Sequence, residues 1–212
     1  MAEKRVPRQI CLLRHGATAW NREGRFLGRG DRDLDERGAA DLEVAAGQIA
    51  QFAPEAVVTS PARRVQQTLA ALIRFGGLGQ VSNHVEPDAW EVDFGVFEGR
   101  TRAEISASPD ADAFDQWLRP EFGCPAAPGG ESFDSAARRA ARVLAGLPAR
   151  RTLLISHGYF LKILLATCVD GGRAEDVRAE HLPNGVPILL TAHPVRGWRR
   201  SEPPAAKGER LE

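Results

Sequence analysis

Residues 10–16 read ICLLRHG and residues 152–158 read TLLISHG. Each is an unbroken apolar run that ends on histidine followed by glycine. With five His and 21 Gly in 212 residues, composition alone yields about 0.5 His-Gly pairs. The dipeptide itself is therefore only a mild excess, and its context carries the information. Continuous apolar runs of this length predict strands buried on both faces. The His-Gly pair stands where such a strand stops and a helix begins.

The same alternation extends outward in both directions. Asp35 is an N-cap for a helix with Leu42, Ala45, Ile49 and Phe52 on one face. AVVTS (56–60) is a further strand, and Ser60-Pro61 reads as a cap with proline at the first helical position. The following helix presents Val65, Leu69, Leu72 and Ile73. A short strand is expected near 80–85. Residues 101–118 read as two helical pieces broken at Pro109. Ser132 caps a long helix carrying Phe133, Ala136, Ala140, Val143, Leu144 and Leu147 at helical spacing. An apolar helix follows over 159–168. PILLTA (187–192) is the last clear strand, paired with 196–200 as a hairpin that Trp198 helps to pin. Strands alternating with helices predict an α/β fold with a mainly parallel central sheet flanked by helices on both faces. One domain over residues 1–200, with a polar disordered tail at 201–212 and a loose leader at 1–7, is the expected organisation.

Bulk properties narrow the function classes. Lys+Arg and Asp+Glu stand at 28 each. That balance argues against general nucleic-acid or membrane-surface binding, so neither partner is expected. Cys11, Cys124 and Cys168 are few, odd in number and far apart, which points to free thiols and no zinc site. No signal peptide or membrane span is read, and a soluble cytoplasmic protein is expected. The oligomeric state is left open.

In sheets of this kind ligands bind at the carboxyl ends of the strands. His15 and His157 lie at such ends, with Arg14 beside one and Arg63 and Arg64 just after AVVTS. Two histidines with arginines at one sheet edge form an anion site, because guanidinium forks match phosphate oxygens. Glycine after each histidine lets backbone approach closely. A histidine there can attack phosphorus and hold it covalently. The leaving alkoxide then needs a proton, which a carboxyl must supply. WEVDFGVFEG (90–99) offers Glu91, Asp93 and Glu98, and chemistry alone does not choose among them.

RHGATAWN (14–21), SPARRVQQT (60–68), EVDFGVFEG (91–99), GGESF (129–133) and SHG (156–158) together resemble the histidine phosphatase superfamily. These blocks fall in the family's order over roughly residues 9–192. The resemblance implies a phosphoglycerate mutase-like fold and a phosphohistidine intermediate. It implies His15 as nucleophile, Arg14, Arg64 and His157 as clamps on the phosphoryl oxygens, and Glu91 as proton donor. Asn21 and Gly158 match further phosphate-binding positions, and alignment on S-P-x-x-R selects Arg64 over Arg63. No metal or other cofactor is implied, since arginines supply the positive charge. Ala17 and Phe97 depart from the family pattern, where many members carry an acidic residue and tryptophan. The interval between Glu91 and His157 lacks the insertion of the mutases, and residues 110–133 resemble the lid of the small phosphatases. Hydrolysis of a small phosphate ester is therefore expected, with Arg102 and Arg119 available to an acidic substrate. Mutase-type phosphoryl transfer and phosphate binding without catalysis are the alternatives.

The remaining candidates have plainer readings. His84, His181 and His193 are read as structural or surface groups. Arg63, Arg138, Arg139 and Arg142 are read as solvated helix residues. Trp20, Trp90 and Trp117 read as core or pocket wall, and Glu98 as an arginine's partner.

Overall fold

A computed structural model of the chain describes residues 7–118, 126–177, 180–193 and 197–201. Six strands form one sheet: β1 (Gln9–Arg14), β2 (Ala56–Thr59), β3 (Ser82–Val85), β4 (Arg151–Ser156), β5 (Pro187–His193) and β6 (Gly197–Ser201). Their order is β3-β2-β4-β1-β5-β6. The first four run parallel, whereas β5 is antiparallel to β1 and β6 to β5. The two histidine-tipped strands are neighbours. β1 pairs with β4 so that Arg14 lies opposite Ser156, and the His15 amide donates to the Ser156 carbonyl at 3.0 Å. That register brings His15 and His157 together just past the carboxyl edge.

Side-chain alternation along β1 divides the core. Cys11 and Leu13 pack with Leu42 and Ile49 of α3 (Leu42–Phe52) and Val65 and Leu72 of α4 (Arg63–Arg74). Ile10 and Leu12 pack on the other face with Val143 and Leu144 of α7 (Phe133–Ala145) and Leu161 and Leu164 of α8 (Gly158–Cys168). A third cluster gathers Phe94, Phe97, Phe114 and Trp117 with α5 (Arg102–Ser106) and α6 (Ala111–Leu118). Pro109 falls in the break between α5 and α6, as expected. Ser132 caps α7 by accepting the Ser135 amide at 3.2 Å.

Several local readings change. Asp35 does act as a cap, but for the short α2 (Glu36–Ala40), and the chain re-enters helix at Leu42. α4 begins at Arg63 with no side-chain cap, since its cap position is Ala62, and the Ser60 hydroxyl two residues earlier bonds His157 Nε2 and the Ala62 amide. Ile73 is exposed rather than core-facing. β3 is exposed at every residue, which fits its place at the sheet edge. Arg139 is buried while Arg138 and Arg142 stay at the surface. Cys124, Arg119, residues 1–6 and the expected tail over 202–212 lie outside the described residues. Among the described residues no helix is long and apolar enough to cross a membrane.

The loop after His15 is set by close packing on α2. Asp35 donates its amide to the Ala17 carbonyl at 3.1 Å and caps the Gly38 amide at 2.6 Å. A methyl group on Gly38 would collide with the Ala17 backbone, whereas one on Gly47, inside α3, would meet open space. Gly38→Ala should therefore destabilise by about 1–3 kcal/mol through overpacking. Gly47→Ala should stabilise by about 0.5–1 kcal/mol through helix propensity. Urea denaturation of both variants checks this, and shifts of the same sign would contradict the packing described.

Candidate active site

His15 follows the end of β1, and its ring is almost fully buried. Its Nδ1 lies 2.7 Å from the Gly16 carbonyl. A carbonyl only accepts, so Nδ1 carries the hydrogen and Nε2 keeps its lone pair. Arg64 donates to that Nε2 through its own Nε at 3.3 Å. Burial holds the His15 pKa well below the usual imidazole value, and the Arg64 and Arg14 charges push it the same way. The ring is thus a neutral imidazole whose Nε2 lone pair accepts from Arg64.

His157 mirrors this arrangement one strand away, with ring centroids 5.3 Å apart. Arg64 donates to His157 Nδ1 at 3.0 Å, so Nε2–H donates to the Ser60 hydroxyl at 2.8 Å. Its pKa is also held well below the usual value, by burial first and then by Arg64. The Trp90 ring lies parallel to His157 at 5.8 Å and packs on the core.

Arg64 is completely buried. Its terminal nitrogens donate to the carbonyls of Gly30 and Gly28 at 2.9 and 2.8 Å. Glu98 in turn accepts the amides of Gly28 and Gly30 at 2.8 and 3.0 Å. Glu98 therefore shapes the loop that holds Arg64 and, among the described residues, pairs with no arginine, contrary to the sequence reading. Arg63 points outward to Asp31 and Asp33.

Arg14 donates from Nη1 to the Leu182 carbonyl at 2.8 Å. Its Nε is buried without a hydrogen-bond partner. Gly158 allows this placement, since a Cβ there would stand 3.0 Å from the guanidinium carbon. Asn21 sits at the third position of α1 (Ala19–Arg22) and closes a capping box with Thr18. Its side-chain oxygen accepts the Thr18 amide at 3.1 Å and the Asn184 amide group at 3.3 Å. That leaves the Asn21 NH2 as its free end. Asn184 also donates to the His15 carbonyl at 2.9 Å.

Glu91 is buried at the start of α8. Its carboxyl oxygens accept three backbone amides: Val92 at 2.9 Å, Tyr159 at 3.0 Å and Phe160 at 2.7 Å. Burial raises its pKa despite the opposing pull of those amides and of Arg64. Asp93 instead caps the Gly95 amide at 2.8 Å, so of the three carboxylates only Glu91 lines the pocket.

The pocket, about 160 Å³, brings together Arg14, His15, Asn21, Glu91, Arg102 and Gly158. Arg64 and His157 lie directly behind it, Arg64 bonded to both His15 and His157. Phe26, Phe94, Trp117 and Tyr159 form an aromatic wall. Arg102 and Lys162 stand at its rim and make no ion pair among the described residues. A larger cavity of about 400 Å³ lies on the other side of Lys162 and contains none of the sequence-predicted residues. Among the described residues no cluster of three or more His, Cys, Asp or Glu is placed to hold a metal.

Sequence reading missed Asn184, Lys162, the loop-shaping role of Glu98 and, apart from Trp117, the aromatic wall. Asn184-Gly185 carries a turn signal, but nothing local ties it to a strand far away in the chain. Lys162 was visible only as a charge inside an apolar helix.

The chain is similar to known proteins in sequence and in structure. It is 37% identical over 172 residues to a bifunctional protein of Mycobacterium tuberculosis, covering 79% of this chain but only 46% of that protein. The chain thus spans about half the length of that relative. It is 32% identical to an acid phosphatase of the same organism, with 89% of both chains covered. Among solved structures, mycobacterial glucosyl-3-phosphoglycerate phosphatase superposes with a TM-score of 0.74 at 28% identity, covering 92% of this chain and 97% of that one. The pattern of the histidine phosphatase superfamily (branch 1) matches residues 10–198, and on that match the chain belongs to this superfamily.

Proposed function

We propose that the protein is a metal-independent phosphomonoesterase that works through a phosphohistidine. One observation carries this reading. A neutral His15, an Arg14 with an unpartnered buried Nε, and a buried Glu91 line one small pocket. The phosphoryl oxygens are taken by Arg14, the Asn21 NH2 and the Gly158 amide, and by Arg64 and His157 once Arg64 exchanges its bond to His15 Nε2, and His157 its bond to Ser60, for the phosphoryl group. His15 Nε2 attacks phosphorus, and the bond from phosphorus to the leaving oxygen breaks. That oxygen keeps the electron pair and takes the Glu91 proton, so the alcohol departs neutral. A water then gives a proton to the Glu91 carboxylate and attacks phosphorus. The P–N bond breaks, its electrons return to Nε2, and orthophosphate leaves.

The raised pKa of Glu91 suits an acid that must be protonated before it acts. The depressed pKa of His15 suits a nucleophile that must not be. Arg102 and Lys162 at the rim favour an ester whose leaving group carries a second anionic group. Mutase-type transfer would use the same inner groups, and a mutase of Gloeobacter violaceus is 31% identical over 188 residues. Only a mutase converts 3- to 2-phosphoglycerate when bisphosphoglycerate is added, so that assay separates the two. The extent proposed for the domain is residues 1–200.

The primary test is p-nitrophenyl phosphate hydrolysis without added metal. Wild type should turn over and His15→Ala should fall to background; activity that survives the substitution removes His15 from its role.

Glu91→Gln should slow alkyl phosphate hydrolysis by about 10²–10⁴-fold. It should affect p-nitrophenyl phosphate far less, since that leaving group needs little protonation. Equal losses would exclude Glu91 as the acid. Because burial lowers the His15 pKa, kcat/KM for p-nitrophenyl phosphate should stay level as pH falls through 6.5. Its acid limb should appear only below that value, once the ester's own ionisation is allowed for. Alkyl phosphates should additionally lose rate as pH rises through the raised Glu91 pKa.

Arg102→Gln should raise KM severalfold for esters with a second anionic group and leave p-nitrophenyl phosphate unchanged. A uniform effect on both would place Arg102 outside substrate recognition.

A further inference from the structure

The chain that carries Glu91 is irregular. Between Ala89 and Gly95 there is neither strand nor α-helix, so its carbonyls have no ladder to satisfy them. They are held instead from behind the pocket. Arg139 Nη1 donates to the Trp90 carbonyl at 2.9 Å and also to that of Asp88. Ser156 donates to the Ala89 carbonyl at 2.7 Å, and Arg29 Nε donates to the Glu91 carbonyl at 3.3 Å. The Glu131 amide donates to the Asp93 carbonyl at 2.9 Å.

Arg139 is itself fixed. Its Nε and Nη2 reach the two Glu131 oxygens at 2.8 and 2.6 Å, and the side chains of this pair are 8% and 10% exposed. The Ser135 hydroxyl donates to the same carboxylate at 3.0 Å, and Arg29 approaches it at 3.5 Å. The guanidinium also lies 4.9 Å from the centre of the Phe160 ring. Phe160 is the residue whose amide binds the Glu91 carboxyl most closely. One buried fork therefore touches both the segment that bears the acid and the helix turn that receives its carboxyl.

We propose that Arg139, locked by Glu131, is a positioning residue for the Glu91 acid. It touches no substrate and acts by holding the Asp88 and Trp90 carbonyls, and through them the placement of the Glu91 carboxyl. A lysine can keep the charge opposite Glu131 but cannot bridge both carbonyls and both carboxylate oxygens. Small displacements of a proton donor are costly when a leaving group depends on it.

The proposal rests on the phosphatase reading for its kinetic test only. In Arg139→Lys, kcat for glycerol phosphate should fall at least about tenfold more than kcat for p-nitrophenyl phosphate. In a Glu91→Gln background the same change should cause no further selective loss. Arg29→Gln, at the exposed rim, should act in the same direction with a smaller ratio, and it guards against a folding defect in Arg139→Lys. Equal losses on both esters in the two single variants would overturn the proposal. A second readout needs no turnover: the carbon-13 resonance of the Glu91 carboxyl followed against pH. Arg14, Arg64 and Lys162 are the charges that act on that carboxyl, and all three stay unchanged in the variant. A displaced midpoint in Arg139→Lys is expected, and an unchanged midpoint overturns the proposal. If wild type hydrolyses neither ester, the phosphatase reading fails while the titration still decides the role of Arg139.

Discussion

Arg64 is a guanidinium buried with no carboxylate in contact among the described residues, and much of the site follows from accommodating it. Taking a cation out of water is costly unless its donors are satisfied. Here the acceptors are two backbone carbonyls and two imidazole nitrogens. Each choice has a consequence. An imidazole that accepts from arginine must present a lone pair, so both histidines are held neutral. Carbonyls that accept must be turned inward, which leaves the Gly28 and Gly30 amides facing away, and Glu98 captures them. A positive charge without a counterion also keeps a favourable field in the pocket for an incoming dianion. Pairing Arg64 directly with a carboxylate would have cancelled that field.

Glu91 answers the opposite requirement. It must hold a proton although three amides, two of them at the N-terminus of α8, favour its anion. Burial outweighs them in this setting. The amides become an advantage in the other half of the cycle, when the carboxylate has given up its proton and must be stabilised until water restores it. A donor poised between two protonation states needs a fixed position in both, and the irregular segment around it cannot supply that by secondary structure. Side chains from α7 and from the Gly28–Gly30 loop do so instead.

The sheet and the histidine pair were legible because their signals are local. Apolar runs ending in His-Gly set strand, edge and residue at once, and register did the rest. Misreadings arose where a short-range rule met a long-range partner. Ser60-Pro61 has the form of a helix cap, but the hydroxyl bonds to a histidine 97 positions away. Arg139 was taken as solvated because charge is usually outside, yet it falls three residues after Ala136 and four before Val143, on the buried stripe of α7. That spacing was the available sign. Choosing Glu91 over Asp93 and Glu98 needed the family resemblance, since all three are carboxylates on one short irregular stretch. Nothing local shows which of them meets the α8 amides.

The groups that touch the phosphoryl moiety serve hydrolysis and transfer equally, because both begin with attack by the same nitrogen and protonation by the same acid. What separates them is whether water or a second substrate molecule reaches the phosphohistidine. That depends on the outer pocket. Its wall of Phe26, Phe94, Trp117 and Tyr159 is apolar and rigidly interlocked, with Phe26 packed edge-on against Phe94 and Trp117. Such a wall binds the body of a leaving group but offers few hydrogen bonds to retain it after cleavage. Arg102 and Lys162 stand farther out, where they grip a charged end without closing over it. A product held mainly at its far end leaves readily, and water then finds the phosphohistidine exposed. On the proposed reading, the same inner chemistry, set in this outer shell, would run toward hydrolysis.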